Sequence, residues 1–148
     1  MFIRTASITW THAFIRDTLD SLADAGEAAA LLDGLKYKYF TDLLTPTPDS
    51  VLADFTIASL GTAGGDVNWI AVINLDDDLH ALKAQAEDIA GPAPTSENLE
   101  GILILNTAAD TLLGGYRFPN PVPIAVEGDA VSVDIIAALS TTWDSGVA

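Results

Sequence analysis

A chain of 148 residues is long enough for one domain with a proper core, and its hydrophobic fraction of 49% excludes a disordered chain. Twenty-one Asp and Glu residues against six Lys and Arg residues give a net charge of −15, which argues against nucleic acid and anionic membranes as partners. The chain has no cysteine, which excludes disulfides and thiolate metal sites.

The N-terminal part of the chain combines a weakly alternating stretch with a helical pattern. Residues 2–10 are typical of a strand or an ordered arm. Asp17 then resembles a helix N-cap, and Gly34 is a natural residue for ending a helix. The apolar spacing in between predicts a helix from about residue 18 to residue 33. We therefore expect an N-terminal arm and helix over 1–34 and a β-rich domain over 35–148.

The segment after Gly34 alternates between two faces and predicts further strands. LKYKYFTDLL is typical of a strand with aromatic cross-strand partners. Pro46 and Pro48 make TPTPDS a stiff, extended connector, because proline fixes φ and restricts the residue before it. A short turn at VLADF, a return to strand at FTIASL and a strand at VNWIAVINL follow.

The second half of the chain reads as short strands separated by Pro and Gly turns. LHALKAQAEDIA is helical by propensity and extended by its position between β segments, and we favour extended structure for part of it. LEGILILN, TLLGGYRF and AVSVDIIAAL predict strands, and PNPVP predicts an edge strand or loop. The pattern indicates a mainly β domain, a β-sandwich or a jelly-roll-like fold, with an N-terminal helix.

The sequence offers little catalytic chemistry. His12 and His80 are the two histidines, and no G-x-S-x-G elbow is present. Scattered carboxylates pair in glycosidases, but nothing in this sequence selects such a pair. We expect a protein that is not an enzyme, and a cryptic hydrolase is the least favoured alternative.

The acidic run from Asn74 to Asp78 offers side-chain oxygen atoms, which are the ligands that Ca²⁺ prefers. An EF-hand starting at Asn74 would need Gly at its sixth position and Glu at its twelfth, where this chain has Leu79 and Gln85. A plain acidic turn is therefore the favoured interpretation, and no cofactor is expected. The alternative is a calcium site of another type, formed by Asp76, Asp77 and Asp78.

Aromatic residues and prolines are the candidates for contacts with other chains. Tryptophan and tyrosine side chains are common anchors of cores and interfaces, and they also stack on sugar rings. Aromatics near the termini are free to dock on a neighbouring subunit. The predicted interface residues are Trp10, Phe14, Pro46, Pro48 and Trp143.

Two segments resemble small bacteriophage virion proteins of the head decoration, cement or minor capsid type. The first is Leu35–Phe55, in which an aliphatic–aromatic strand, LKYKYFTDLL, precedes the segment TPTPDSVLADFT at Thr45–Thr56. The second is Gly101–Ile135, in which a leucine-rich strand leads to YRFPNPVP and then to a final GDAVSV strand. Together these segments cover about half the chain, while residues 76–95 do not match the pattern.

The resemblance implies a β-rich structural virion protein. We expect this protein to decorate or cement the capsid shell, to be made in the host cytoplasm and to be located on the capsid surface. Its implied partners are the major capsid protein and copies of itself, with a trimer favoured over a dimer. The resemblance implies no catalytic residue. The alternative that we keep open is a tail-fibre or host-glycan-binding module.

Overall fold

The computed structural model describes residues 1–17, 34–61, 65–67, 69–74 and 79–140. A 3-10 helix, Leu52–Asp54, precedes the fourth of the strands. The other elements are β1 Phe2–Ser7, β2 Thr9–Trp10, α1 His12–Asp17, β3 Lys36–Phe40, β4 Gly65–Asp66, β5 Trp69–Asn74, β6 Leu79–Ile89, β7 Glu97–Leu105, β8 Leu112–Ile124 and β9 Ala130–Ser140.

The strands form two sheets, which confirms the predicted mainly β class. Sheet I has the order β1-β9-β6-β5, and sheet II has the order β2-β8-β7-β3-β4. β1 runs parallel to β9, whereas the other pairs are antiparallel. The chain passes from sheet I to sheet II at Ile8, whose N–H donates to Ile136 O at 2.9 Å. Residues 2–10 are thus strands of both sheets.

The main core lies between the facing sides of the two sheets, which we call the inner faces. Sheet I contributes small and β-branched residues such as Ala84, Ala86 and Val133, whereas sheet II contributes larger ones such as Tyr39 and Ile102. Small residues opposite large ones let two twisted sheets approach closely. The remaining side of each sheet is its outer face.

The ambiguous segment LHALKAQAEDIA contains the long strand β6, so strand pairing outweighs its helical propensity. Ala84 and Ala86 are buried in the core while Gln85 and Glu87 are exposed, which is the period of two that a half-buried strand needs. Two other expectations differ from the structure. FTIASL contains only an isolated bridge between Ile57 and Phe40, and TLLGGYRF and PNPVP form one strand, β8.

The predicted helix over 18–33 lies outside the described residues. The helix that the structure describes, α1, begins at His12, ahead of the predicted start. Thr11 supplies the capping oxygen, since its Oγ1 accepts a hydrogen bond from the N–H of Phe14 at 3.2 Å. Asp17, the predicted N-cap, is itself a helical residue of α1.

Candidate functional site

Residues 41–57, which we call the proline segment, cover the outer face of sheet II. Phe55 packs there against Phe40 with a ring-centroid distance of 4.8 Å. Leu103, Leu105 and Leu112 complete this second, smaller hydrophobic cluster. β7 is consequently buried on both faces, which explains its nearly continuous apolar run.

A pair of glycines in β8 makes room on both sides of sheet II. A Cβ atom on Gly115 would lie 3.0 Å from Cγ of Pro46, so the missing side chain lets the buried Pro46 approach the sheet. A Cβ atom on Gly114 would lie 2.8 Å from the ring of Trp10 on the inner side. The two glycines therefore leave room for the proline segment on the outer face of sheet II and for Trp10 on the inner face.

Local hydrogen bonds fix the shape of the proline segment. Ser50 Oγ accepts from the N–H of Thr47 at 2.8 Å, and Asp54 accepts from the N–H of Val51 at 3.0 Å. A contact from outside the segment adds to these turns, because the N–H of His12 donates to Pro48 O at 2.9 Å. These hydrogen bonds constrain the backbone of the proline segment.

Three exposed apolar side chains lie on this fixed segment. Leu43 is 76% exposed, Val51 55% and Leu44 40%. They are three of the seven large hydrophobic residues that are exposed in the described part of the chain. Single exposed apolar residues are normal on a surface, whereas contiguous apolar patches are typical of contact surfaces, and Leu43 and Leu44 are adjacent in the chain.

A cavity of about 580 Å³ lies between the start of α1, the proline segment and the turn between β7 and β8. His12 Nδ1 is 3.3 Å from Asp49 Oδ1 at its edge. Asn106 and Thr111 donate to the Asp110 carboxylate across the turn, which lowers the pKa of Asp110 below its ordinary value. The first contact joins the start of α1 to the proline segment, and the other two fix the turn between β7 and β8.

A polar contact links the inner faces of the two sheets. The hydroxyls of Tyr37 and Tyr39 both donate to Asp88 Oδ2, each at 2.7 Å. Burial, and then the neighbouring Asp88 carboxylate, raise the pKa of both tyrosines well above the ordinary value. The neutral hydroxyls thus remain donors throughout the physiological range.

Most of the predicted interface residues that the structure describes are buried in the chain itself. Trp10 and Phe14 are 4% and 8% exposed and pack together with a ring-centroid distance of 5.1 Å. Pro46 is buried, Pro48 is half-buried, and Trp143 lies outside the described residues. The exposed apolar residues beside the prolines, Leu43, Leu44 and Val51, were missed. Their exposure could have been inferred from their position near prolines, because no strand pairing was predicted there to bury them.

The remaining sequence predictions concern metals, membranes and glycans. Asp76, Asp77 and Asp78 lie outside the described residues, and within the described ranges no three His, Asp or Glu side chains are grouped to hold a metal ion. No helix in the described part of the chain is long and apolar enough to span a membrane. Stacking on sugar rings requires exposed aromatic side chains, and the three tyrosines, Tyr37, Tyr39 and Tyr116, are buried or half-buried.

Comparisons with protein-family models, with curated proteins and with solved structures found no match for this chain.

Proposed function

We propose that this protein is a structural, non-enzymatic component of a bacteriophage virion that decorates or cements the capsid shell. The observation that carries the proposal is the proline segment, which presents Leu43, Leu44 and Val51 on a loop fixed by its own hydrogen bonds. A rigid apolar surface loses little conformational entropy when it binds, which suits a protein that must stay on a shell.

The two segments that resemble virion proteins support this proposal because they pack against each other. Pro46 and Phe55 belong to the first segment. Gly115 and Leu103, which belong to the second, form part of the surface beneath them. The resemblance therefore spans one structural unit, a covered sheet face, rather than two unrelated stretches of sequence.

The proposed partners are the major capsid protein and further copies of this chain, with a trimer favoured over a dimer. The proposed location is the capsid surface, after synthesis in the host cytoplasm. The net charge of −15 supports an exposed position, since it keeps decorated particles apart and disfavours packaged nucleic acid as the ligand. The proposal involves no cofactor.

Cosedimentation with empty capsids of the parent phage tests this function. The wild-type chain is expected to sediment with capsids and to saturate at a fixed ratio to the capsid protein. The double variant L43S/L44S should bind at least about tenfold more weakly, because two apolar side chains are no longer buried on binding.

The matched control is the double variant I89S/V126S, which alters two residues that are each 61% exposed and lie outside the proline segment. It should bind like the wild type. Absence of wild-type binding to capsids would refute the proposed function. Equal binding of both double variants would refute the role of the proline segment.

A further inference from the structure

A second cleft, of about 460 Å³, opens on the outer face of sheet II beside the proline segment. Leu43 and Thr45 of the segment form one side of it, and the irregular middle of β8 forms the other. Its charged residues are Glu100 of β7 and Arg117 of β8. The two prolines that line it are Pro119 and Pro121.

Glu100 is unusual for a carboxylate because it is almost completely buried. Its side chain is 7% exposed, and its one ion pair joins Oε1 to Arg117 Nη2 at 3.7 Å. That separation exceeds hydrogen-bond length. The described residues donate no hydrogen bond to this carboxylate, although other acidic groups, such as Asp129, accept two. The Glu100 oxygens are not among the buried unpaired polar atoms of the described residues, so they are open to the cleft and accessible to a ligand that can donate hydrogen bonds.

The local strand geometry explains why Glu100 lacks donors. The pairing of β7 with β8 shifts between Leu99 and Gly101, whose partners are Val122 and Arg117. Glu100 therefore faces an inserted stretch of β8 that contains Pro119 and Pro121, and prolines have no N–H to donate. This stretch has backbone carbonyls that do not pair with β7. Arg4 of β1, in sheet I, donates a hydrogen bond to one of them, Asn120 O, at 3.0 Å.

We propose that this cleft binds a cationic side chain, arginine or lysine, supplied by a protein partner. A guanidinium or ammonium group would give Glu100 the charged donors that it lacks. Leu43 and the two prolines offer apolar surface to the aliphatic stem of such a side chain. The inference rests on the proposed function only for the identity of the partner, the capsid protein.

The positions of the two charges favour a cation over an anion as the ligand. Glu100 is the deeper group, whereas the side chain of Arg117 remains 34% exposed and free to turn towards water. The net charge of −15 adds a field that attracts cations and repels anions.

The test is a nuclear magnetic resonance titration of the full chain with the peptide acetyl-Leu-Arg-Leu-amide. Peptide concentrations up to about 10 mM detect a dissociation constant near 1 mM. We expect saturable shifts of backbone amides around the cleft, at Thr45, Glu100 and Arg117. The same peptide with neutral citrulline in place of arginine should leave these amides unshifted.

Two variants and a control decide what the peptide recognises. E100Q keeps the shape of the side chain and should weaken binding at least about tenfold. E127Q, the same change at an exposed turn residue, should bind like the wild type. R117Q should bind at least as tightly as the wild type, because it removes the cation that competes for Glu100. Dispersed spectra of each variant confirm its fold.

Three results would overturn the inference. They are unshifted cleft amides in the wild type, equal effects of E100Q and E127Q, and loss of binding in R117Q with retention in E100Q. The last result would make the ligand an anion. Because the peptide titration needs no capsid, its failure is distinguishable from a failure of cosedimentation, which concerns the proposed function.

Discussion

Replacement of Asp88 by alanine should destabilise the protein, because Asp88 accepts the hydrogen bonds that join the inner faces of the two sheets. Asp88 lies on the inner face of sheet I, in line with Ala84 and Ala86. Its Oδ2 atom is the acceptor for both Tyr37 and Tyr39, which come from the opposite sheet. Removing this single carboxylate leaves the two hydroxyls with only each other as partners, so at least one of them loses its acceptor.

The magnitude follows from the burial of the two hydroxyls. An unsatisfied buried donor costs about 1–3 kcal/mol. Tyr39 is 0% exposed and Tyr37 is 5% exposed, whereas Asp88 is half-buried and its removal admits some water. We expect D88A to lower the free energy of unfolding by about 2–4 kcal/mol, a large part of the 5–15 kcal/mol that is roughly typical of a domain.

Urea unfolding followed by circular dichroism measures this change, with an unchanged slope showing that both states keep their compactness. The triple variant Y37F/Y39F/D88A supplies the second half of the test. It removes the donors together with the acceptor, so it should be more stable than D88A alone. A D88A variant within about 0.5 kcal/mol of the wild type, or a triple variant less stable than D88A, would refute the reasoning.

Three other predictions concern alkaline pH, close packing and salt. Since burial and Asp88 raise the pKa of Tyr37 and Tyr39, the folded state keeps protons that the unfolded state releases, so stability is complete below about pH 10 and falls above it. Urea unfolding should show a loss of up to about 1.4 kcal/mol per pH unit for each tyrosine, and Y37F/Y39F should flatten the profile. G101A should cost about 3 kcal/mol or more in the same assay, because its Cβ atom would lie 2.2 Å from a backbone oxygen; G91A, with nothing within 4 Å, should cost less than about 0.5 kcal/mol, and equal costs would contradict the packing argument. Raising NaCl from about 0.05 M to about 1 M should raise the melting temperature by screening the net charge of −15, and a falling melting temperature would contradict this.

The sequence predicted most strands because their patterns are local. β3, β7 and β9 follow from alternating or continuous runs of aromatic and β-branched residues. β6 was ambiguous because alanine and lysine favour helices in isolation. Its extended form is explained by pairing with β9 along the whole strand, from Leu79 to Ile89, and with β5 on the other edge.

The features that make up the candidate sites depend on contacts that are distant in sequence. Tyr39 and Asp88 are 49 positions apart, and no local pattern joins them. The burial of Glu100 follows from a shift of strand register beside two prolines, which composition does not reveal. The prolines did predict a stiff segment, but not that Pro46 packs on Gly115 and leaves Leu43 exposed.

The most direct test of the central claim is an electron cryomicroscopy reconstruction of the mature phage particle. We expect the two-sheet body of this chain on the outer capsid surface, in a fixed ratio to the capsid protein. Leu43 and Leu44 should face that protein, with one of its Arg or Lys side chains beside Glu100. A capsid lattice without density for this chain, or density for it only in the tail, would contradict the account.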